Sequence, residues 1–251
     1  SSYAAVLARL SVLRKEMKKR LLPTTAAPIE IIEEQGRVAF DHLTLRSSRD
    51  NRILINELSI SIPRGRRVLI TGPNNTAKVV LFRAIAGVWD TGEGRIIRPT
   101  LDKFFFLPER PYFPPGTLRE ILLNDEQKGV ISDEQLVNVL RRLDLERVLA
   151  RAGGFDVEKD WKDILSLDEQ QLLTFTRPLF AVPQFAFLDR PHTALAPRQV
   201  DQVLDMLSQQ SITYITLGST EDNLGYYDEV IQLAEDGAWE RKSVRAGQIV
   251  E

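Results

Sequence analysis

The chain contains no cysteine, and that absence removes disulfides, thiolate metal sites and a cysteine nucleophile together. It fits a reducing compartment. Histidine is nearly as scarce, with His42 and His192 the only two. No uninterrupted apolar run approaches the roughly 20 residues of a membrane span, and no signal-peptide pattern is visible. A soluble, cytoplasmic chain is therefore expected. The formal net charge of −2 gives no global basic field, so nucleic acid is not expected as a partner. Internal repeats and low-complexity segments are missing too. What is present, 251 residues with 43% hydrophobic content, suffices for one sizeable domain with a subdomain.

The most organised stretch runs from Arg67 to Gly87. An apolar run, Val68 to Ile70, stops at Gly72-Pro73-Asn74-Asn75, and a helical pattern takes over from Lys78. Strand, tight loop and helix is the layout of a phosphate-binding loop, whose backbone N–H groups and helix N-terminus cradle phosphates. The full pattern is G-x-x-x-x-G-K-[ST]. Gly72 and Lys78 fit it, whereas Ala77 stands at the second glycine and Val79 at the hydroxyl. Candidate phosphate contacts are Gly72, Asn74, Asn75, Thr76, Ala77, Lys78, Val79 and Val80. An ordinary strand-turn-helix is the alternative that this stretch leaves open.

Residues 1–22 read as an amphipathic helix, with Tyr3, Val6, Leu7, Leu10, Leu13, Met17 and Leu21 in one stripe. The rest of its surface is basic, and residues 23–28 read as a linker. Val38 to Leu45 and Ile53 to Ile62 alternate as strands around a turn at Ser47 to Asn51. Phe104 to Leu107, Phe185 to Leu188 and Ile212 to Leu217 are short apolar runs with the length of buried strands. Helical spacing fills Thr117 to about Asp160 and returns over Arg198 to Gln209. Strands alternating with helices imply a parallel sheet with right-handed crossovers. Ser166 reads as the cap of a further helix. Pro178 would lie inside that helix, where it costs about 3 kcal/mol or forces a kink. His42 reads as a structural residue near a sheet edge, His192 as a solvated loop residue, and residues 236–251 as a polar tail.

Four more stretches follow the loop in order: Phe106-Leu107-Pro108-Glu109-Arg110-Pro111-Tyr112, Leu165-Ser166-Leu167-Asp168-Glu169-Gln170-Gln171, Phe185-Ala186-Phe187-Leu188-Asp189-Arg190, and Ile212 to Leu217 running into Gly218-Ser219. With the loop they resemble the Walker A, glutamine loop, signature, Walker B and histidine loop of an ATP-binding cassette (ABC) transporter nucleotide-binding domain. Gly94 to Pro99 and Arg110 to Arg119 resemble the branch of peroxisomal fatty-acyl exporters and their bacterial relatives. The fold this implies is α/β: a P-loop NTPase-like, mostly parallel sheet with an antiparallel β subdomain and an inserted helical subdomain. The implied domain spans residues 37–235, with helical subdomain at about 117–180, preceded by a helix and linker over 1–36.

The resemblance implies ATP as cofactor, read by Lys78, and across a dimer by Ser166 and Gln170. Asp189 and Glu109 are the implied metal ligands, Glu109 standing in place of a glutamine. Arg190 and Ser219 occupy the positions of the general-base glutamate and the switch histidine, so no catalytic residue is identified. Val79 removes a Mg²⁺ hydroxyl ligand, Ala77 and Asp168 replace glycines, and Ala196 replaces an aspartate. Mg²⁺ is thus expected to be weakly held or dispensable. Arg190 leaves two arrangements open: a guanidinium facing the phosphates in place of the metal, or an internal pair with Asp189 or Glu109. Implied partners are a second nucleotide-binding domain, in a homo- or heterodimer, and a transmembrane transporter domain. Residues 1–22 either pack on their own domain or join it to that membrane domain at its cytoplasmic face. The function expected is a degenerate ATP-binding domain with weak or absent hydrolysis. An active ATPase energising transport and a scaffold module that binds no nucleotide are the alternatives.

Overall fold

The computed structural model describes residues 29–251. The expected amphipathic helix over 1–22 and linker over 23–28 lie outside the described residues. Two sheets follow. The first is built from β1 (Glu30–Glu33), β2 (Arg37–Arg46), β3 (Ile53–Pro63) and, after the phosphate-type loop, β5 (Gly92–Arg98), in the order β1-β5-β2-β3. β2 pairs antiparallel with both β3 and β5, and β1 adds a parallel pair at the edge. His42 is not near an edge as the sequence suggested. It sits in an irregularity of the interior strand β2 with φ 48° and an exposed ring 2.6 Å from the Asp41 carboxylate. An interruption of the alternation, rather than its end, produces the polar residue there.

The second sheet joins β4 (Val68–Thr71), β6 (Phe104–Leu107), β7 (Phe185–Asp189), β8 (Thr213–Leu217), β9 (Glu229–Leu233), β10 (Trp239–Arg245) and β11 (Gln248–Val250) in the order β11-β10-β9-β4-β8-β7-β6. From β9 to β6 every neighbour is parallel. Parallel strands covered on both faces read as continuous apolar runs, which is why these segments stand out in the sequence. The last two strands correct the expected polar tail: β10 pairs antiparallel with β9, and β11 with β10. Their side chains are mostly exposed, so the pairing is carried by backbone bonds that leave no hydrophobic pattern.

Alternate residues of the parallel strands enter two different cores. Phe104, Phe106, Phe185, Phe187, Ile215 and Leu217 face the helix α1 (Asn75–Ile85). Phe105, Leu107, Ala186, Leu188 and Tyr214 face the opposite layer. There lie α2 (Leu118–Leu122), α3 (Asp133–Arg142), α4 (Glu146–Ala152), α5 (Leu167–Ala181) and α6 (Pro197–Gln209). On the α1 side Phe82 meets Phe106 edge-on at 5.6 Å and Phe187 at 5.5 Å. Phe104 stacks on Phe106 at 5.3 Å. Pro178 does not end α5, which continues to Ala181 and is stopped by Val182 in the left-handed region, φ 45°. The proline ring is buried and joins the packing, and the helix runs on past it only to Ala181.

Phe106 is at the centre of this aromatic cluster and is 1% exposed. Phe106→Ala is expected to cost about 3–5 kcal/mol in denaturant unfolding, against less than about 0.5 for the exposed Val130→Ala. A cost below about 1 kcal/mol for Phe106→Ala would contradict the packing described.

Candidate functional site at the carboxyl edge of the parallel sheet

All the loops that leave the carboxyl ends of β4, β6, β7 and β8 open on one edge of the sheet, the edge where parallel α/β folds place ligands. From β4 the chain passes through Gly72, whose φ of 149° and approach to β9 exclude a side chain: a Cβ there would lie 2.3 Å from the Leu233 carbonyl. Asn74 then caps α1, its side chain accepting from the Ala77 N–H at 3.1 Å. The helix begins at Asn75 rather than Lys78, because the cap draws the first turn back towards the glycine. Ala77 is consequently a buried helical residue and not a loop position. Val80 is buried in the core, Val79 is half-buried, and Asn75 and Thr76 are exposed.

Lys78 is not a solvated lysine. It is 4% exposed, and its Nζ donates to the Gly218 carbonyl at 3.0 Å. Burial pushes its pKa down and the neighbouring Arg190 charge adds to that, while Asp189 and Asp222 oppose it. The Gly218 N–H in turn donates to the Ile70 carbonyl at 2.9 Å, a bond that ties the ends of β4 and β8, and the lysine ties α1 to the same point.

Asp189 ends β7 with its side chain buried, and Arg190 follows in the left-handed region, φ 46°. The Arg190 Nε donates to Asp189 Oδ1 at 2.9 Å, and an Nη lies 3.0 Å from Glu109 Oε2. Of the two arrangements that the sequence left open, the internal pair is the one observed, and it takes both carboxylates at once. Burial works against the charge on Arg190, but Asp189 and Glu109 outweigh it and raise the guanidinium pKa. Ser219, after β8, donates its N–H to Asp222 Oδ2 at 3.0 Å and lines a cavity of about 300 Å³ with His192 and Tyr227. His192 itself is exposed, as expected of a loop residue.

The signature-like residues stand apart from this cluster. Ser166 caps α5 in a box with Glu169, and its hydroxyl donates to Asp168 Oδ1 at 2.5 Å. That bond holds the Asp168 carboxyl below its usual pKa despite partial burial. The Gln170 side chain bonds back to the Leu165 carbonyl at 3.2 Å. The residue that links α5 to the cluster is Gln171, which sequence reasoning passed over. It is fully buried, and its Nε2 donates to the carbonyls of Pro108 and Glu109, fixing the loop that carries the Glu109 carboxylate. Its signal was one of register: Gln171 is one helical turn before the buried Phe175, on the inward face of α5.

A glycine-led turn into a capped helix, at the carboxyl edge of a parallel sheet with a helical layer and a second sheet, defines a P-loop NTPase-like α/β domain. Comparison with known proteins takes this further. An uncharacterized ABC transporter ATP-binding protein of Synechocystis is 34% identical over 203 residues, covering 81% of this chain and 31% of that protein. ATP-binding cassette sub-family D member 3 of Mus musculus is 33% identical over 220 residues, covering 86% and 33%. The lysosomal cobalamin transporter ABCD4 of the same species is 30% identical over 217 residues, covering 82% and 36%. A bacterial Atm1-family ABC exporter structure superposes with a TM-score of 0.69 at 20% identity, over 88% of this chain and 41% of that one, which shows the same fold. No family model matches. The chain belongs to the ATP-binding cassette family, with relatives in its sub-family D and in bacteria. It spans about a third of the length of the curated relatives it matches. Among the described residues no helix is long and apolar enough to cross a membrane.

Gln171→Ala removes the donor to two carbonyls and is expected to cost about 1–3 kcal/mol in denaturant unfolding. Gln170→Ala should cost under about 1 kcal/mol. Equal costs at the two positions would contradict the assignment of Gln171 as the link.

Proposed function

We propose that this chain is the nucleotide-binding domain of a transporter, a degenerate one that takes ATP at Gly72 to Lys78 and hydrolyses it weakly or not at all. The observation that carries this reading is Arg190 at the end of β7. Hydrolysis needs a group that can accept or orient a water proton near the γ-phosphate. A guanidinium has no acceptor lone pair, and Arg190 is already held by Asp189 and Glu109. Ser219 offers no ring nitrogen at the other candidate position. The phosphate-reading parts are better preserved: Gly72, the capped N-terminus of α1 and the buried Lys78.

Family membership supports the partners. The exporter of like fold is described with ATP bound, and two relatives are named as transporters or their ATP-binding proteins. We infer a second nucleotide-binding domain, the same or different, and a membrane-spanning transporter domain, with this chain at the cytoplasmic face of the membrane. Any Mg²⁺ is weakly held or dispensable. One observation favours a second reading, that of a scaffold that binds no nucleotide: Arg190 is paired internally with Asp189 and Glu109, and the Lys78 Nζ is taken up by the Gly218 carbonyl.

An ATP titration paired with a phosphate-release assay separates these. Binding that is lost in Lys78→Ala, with release slower than about 0.01 s⁻¹, is expected, given losses of about 10²–10⁴ for a missing acid–base group from a usual rate of about 1 s⁻¹ or more. Release at about 1 s⁻¹ or faster that disappears in Lys78→Ala would contradict weak hydrolysis. No binding at all would favour the scaffold.

A further inference from the structure

The family implies Mg²⁺ beside the phosphates, and the residues present do not fit it. Position 79 is valine and supplies no oxygen. Among the described residues no group of three or more His, Asp or Glu side chains is placed to hold a metal ion. The two carboxylates that could contribute, Asp189 and Glu109, are both engaged by Arg190, at 2.9 and 3.0 Å. Mg²⁺ needs near-octahedral oxygen ligation at short distance and is usually held by one or two carboxylates with phosphates and water. To take both it would compete with the guanidinium for the same oxygens, Asp189 Oδ1 and Glu109 Oε2.

Expulsion is unfavourable on local grounds. The Arg190 side chain is 13% exposed, Asp189 8% and Glu109 28%, so a displaced guanidinium would be left unpaired in a largely dry cleft. Its backbone is fixed in the left-handed region, and its carbonyl accepts from the Thr193 hydroxyl at 2.9 Å, which anchors the start of the side chain. The guanidinium already answers both carboxylates at once, with the Lys78 charge and the Asp222 carboxylate close by, so Asp189 and Glu109 have a cation without a metal. An incoming divalent cation would also meet the fixed charge of Arg190, which cannot be removed by deprotonation at any working pH.

We propose that Arg190 is a resident cation that occupies the place of the divalent metal, so that this site excludes Mg²⁺ and takes the nucleoside triphosphate without it. The inference rests on the proposed nucleotide-binding reading for its ligand, but not for its exclusion of metal. Arg190 holds the two carboxylates that would otherwise ligate a metal ion, and the N-terminus of α1 with the Lys78 charge behind it supplies the positive end that would take the phosphates.

The test has two independent arms. In the first, Mn²⁺ is titrated into the nucleotide-free protein and followed by electron paramagnetic resonance. The wild type is expected to show no saturable site, while Arg190→Ala gains one at the freed carboxylates. A saturable site of equal strength in both proteins, or in neither, overturns the proposal. Arg190→Gln, which keeps much of the side chain's bulk, gives the same reading if the alanine variant does not fold. In the second arm, ATP affinity is measured calorimetrically in Mg²⁺ and in EDTA. The wild type is expected to bind equally in both within about threefold, and Arg190→Ala to lose more than tenfold in EDTA alone. A wild-type loss of more than tenfold in EDTA, about 1.4 kcal/mol, overturns the proposal. Absence of ATP binding in either buffer would refute the nucleotide reading, and the Mn²⁺ arm would still decide whether Arg190 excludes metal.

Discussion

A parallel sheet must be covered on both faces, and that constraint orders the rest of this molecule. The strands β4, β8, β7 and β6 contribute alternate residues to two cores, one closed by α1 and the other by α5 and α6. Once the strands are clamped in this way, their carboxyl ends come level. Gly72, Glu109, Asp189 and Gly218 then share one edge although the sequence separates them widely. The aromatic contacts around Phe82 and Phe106 hold α1 against the face of the sheet next to this edge. The position of Lys78 is thus a consequence of core packing.

The polar side of that edge is held together by few contacts. Lys78 ties the end of β8 to α1, Arg190 ties the end of β7 to the loop after β6, and Gln171 ties that loop to α5. Each partner is at least partly buried, where a charged or polar group without its partner is costly. The arrangement gives the site a definite shape before any ligand arrives. The signature-like residues stay separate: Ser166 and Asp168 bond one another at the start of α5, with Gln199 donating to the other Asp168 oxygen, while Gln171 reaches across.

The fold was legible to the extent that burial writes itself into sequence. Phe104 to Leu107, Phe185 to Leu188 and Ile212 to Leu217 were readable because both faces of each strand are covered. Residues 239–250 were not, since β10 and β11 pair through backbone and turn their side chains to water. The strand, turn and helix around Gly72 were legible, but α1 starts at Asn75 because a cap made by one side chain is invisible to periodicity. At the site, the sequence identified Asp189, Glu109 and Arg190, yet could not choose between a guanidinium facing outward and one turned in. That choice depends on loops after β6 and β7 that approach only in three dimensions. The inward role of Gln171 was not legible because adjacent glutamines differ only in helical register.

The central claim is that Arg190 joins the Walker B-like strand end to the Glu109 loop as one electrostatic unit. A double-mutant cycle in denaturant unfolding with Arg190→Ala, Glu109→Ala and both together measures this most directly. A coupling energy between about 0.5 and 3 kcal/mol, the range for residues in one ion-pair network, is the result the account requires. Strict additivity of the two substitutions would contradict it.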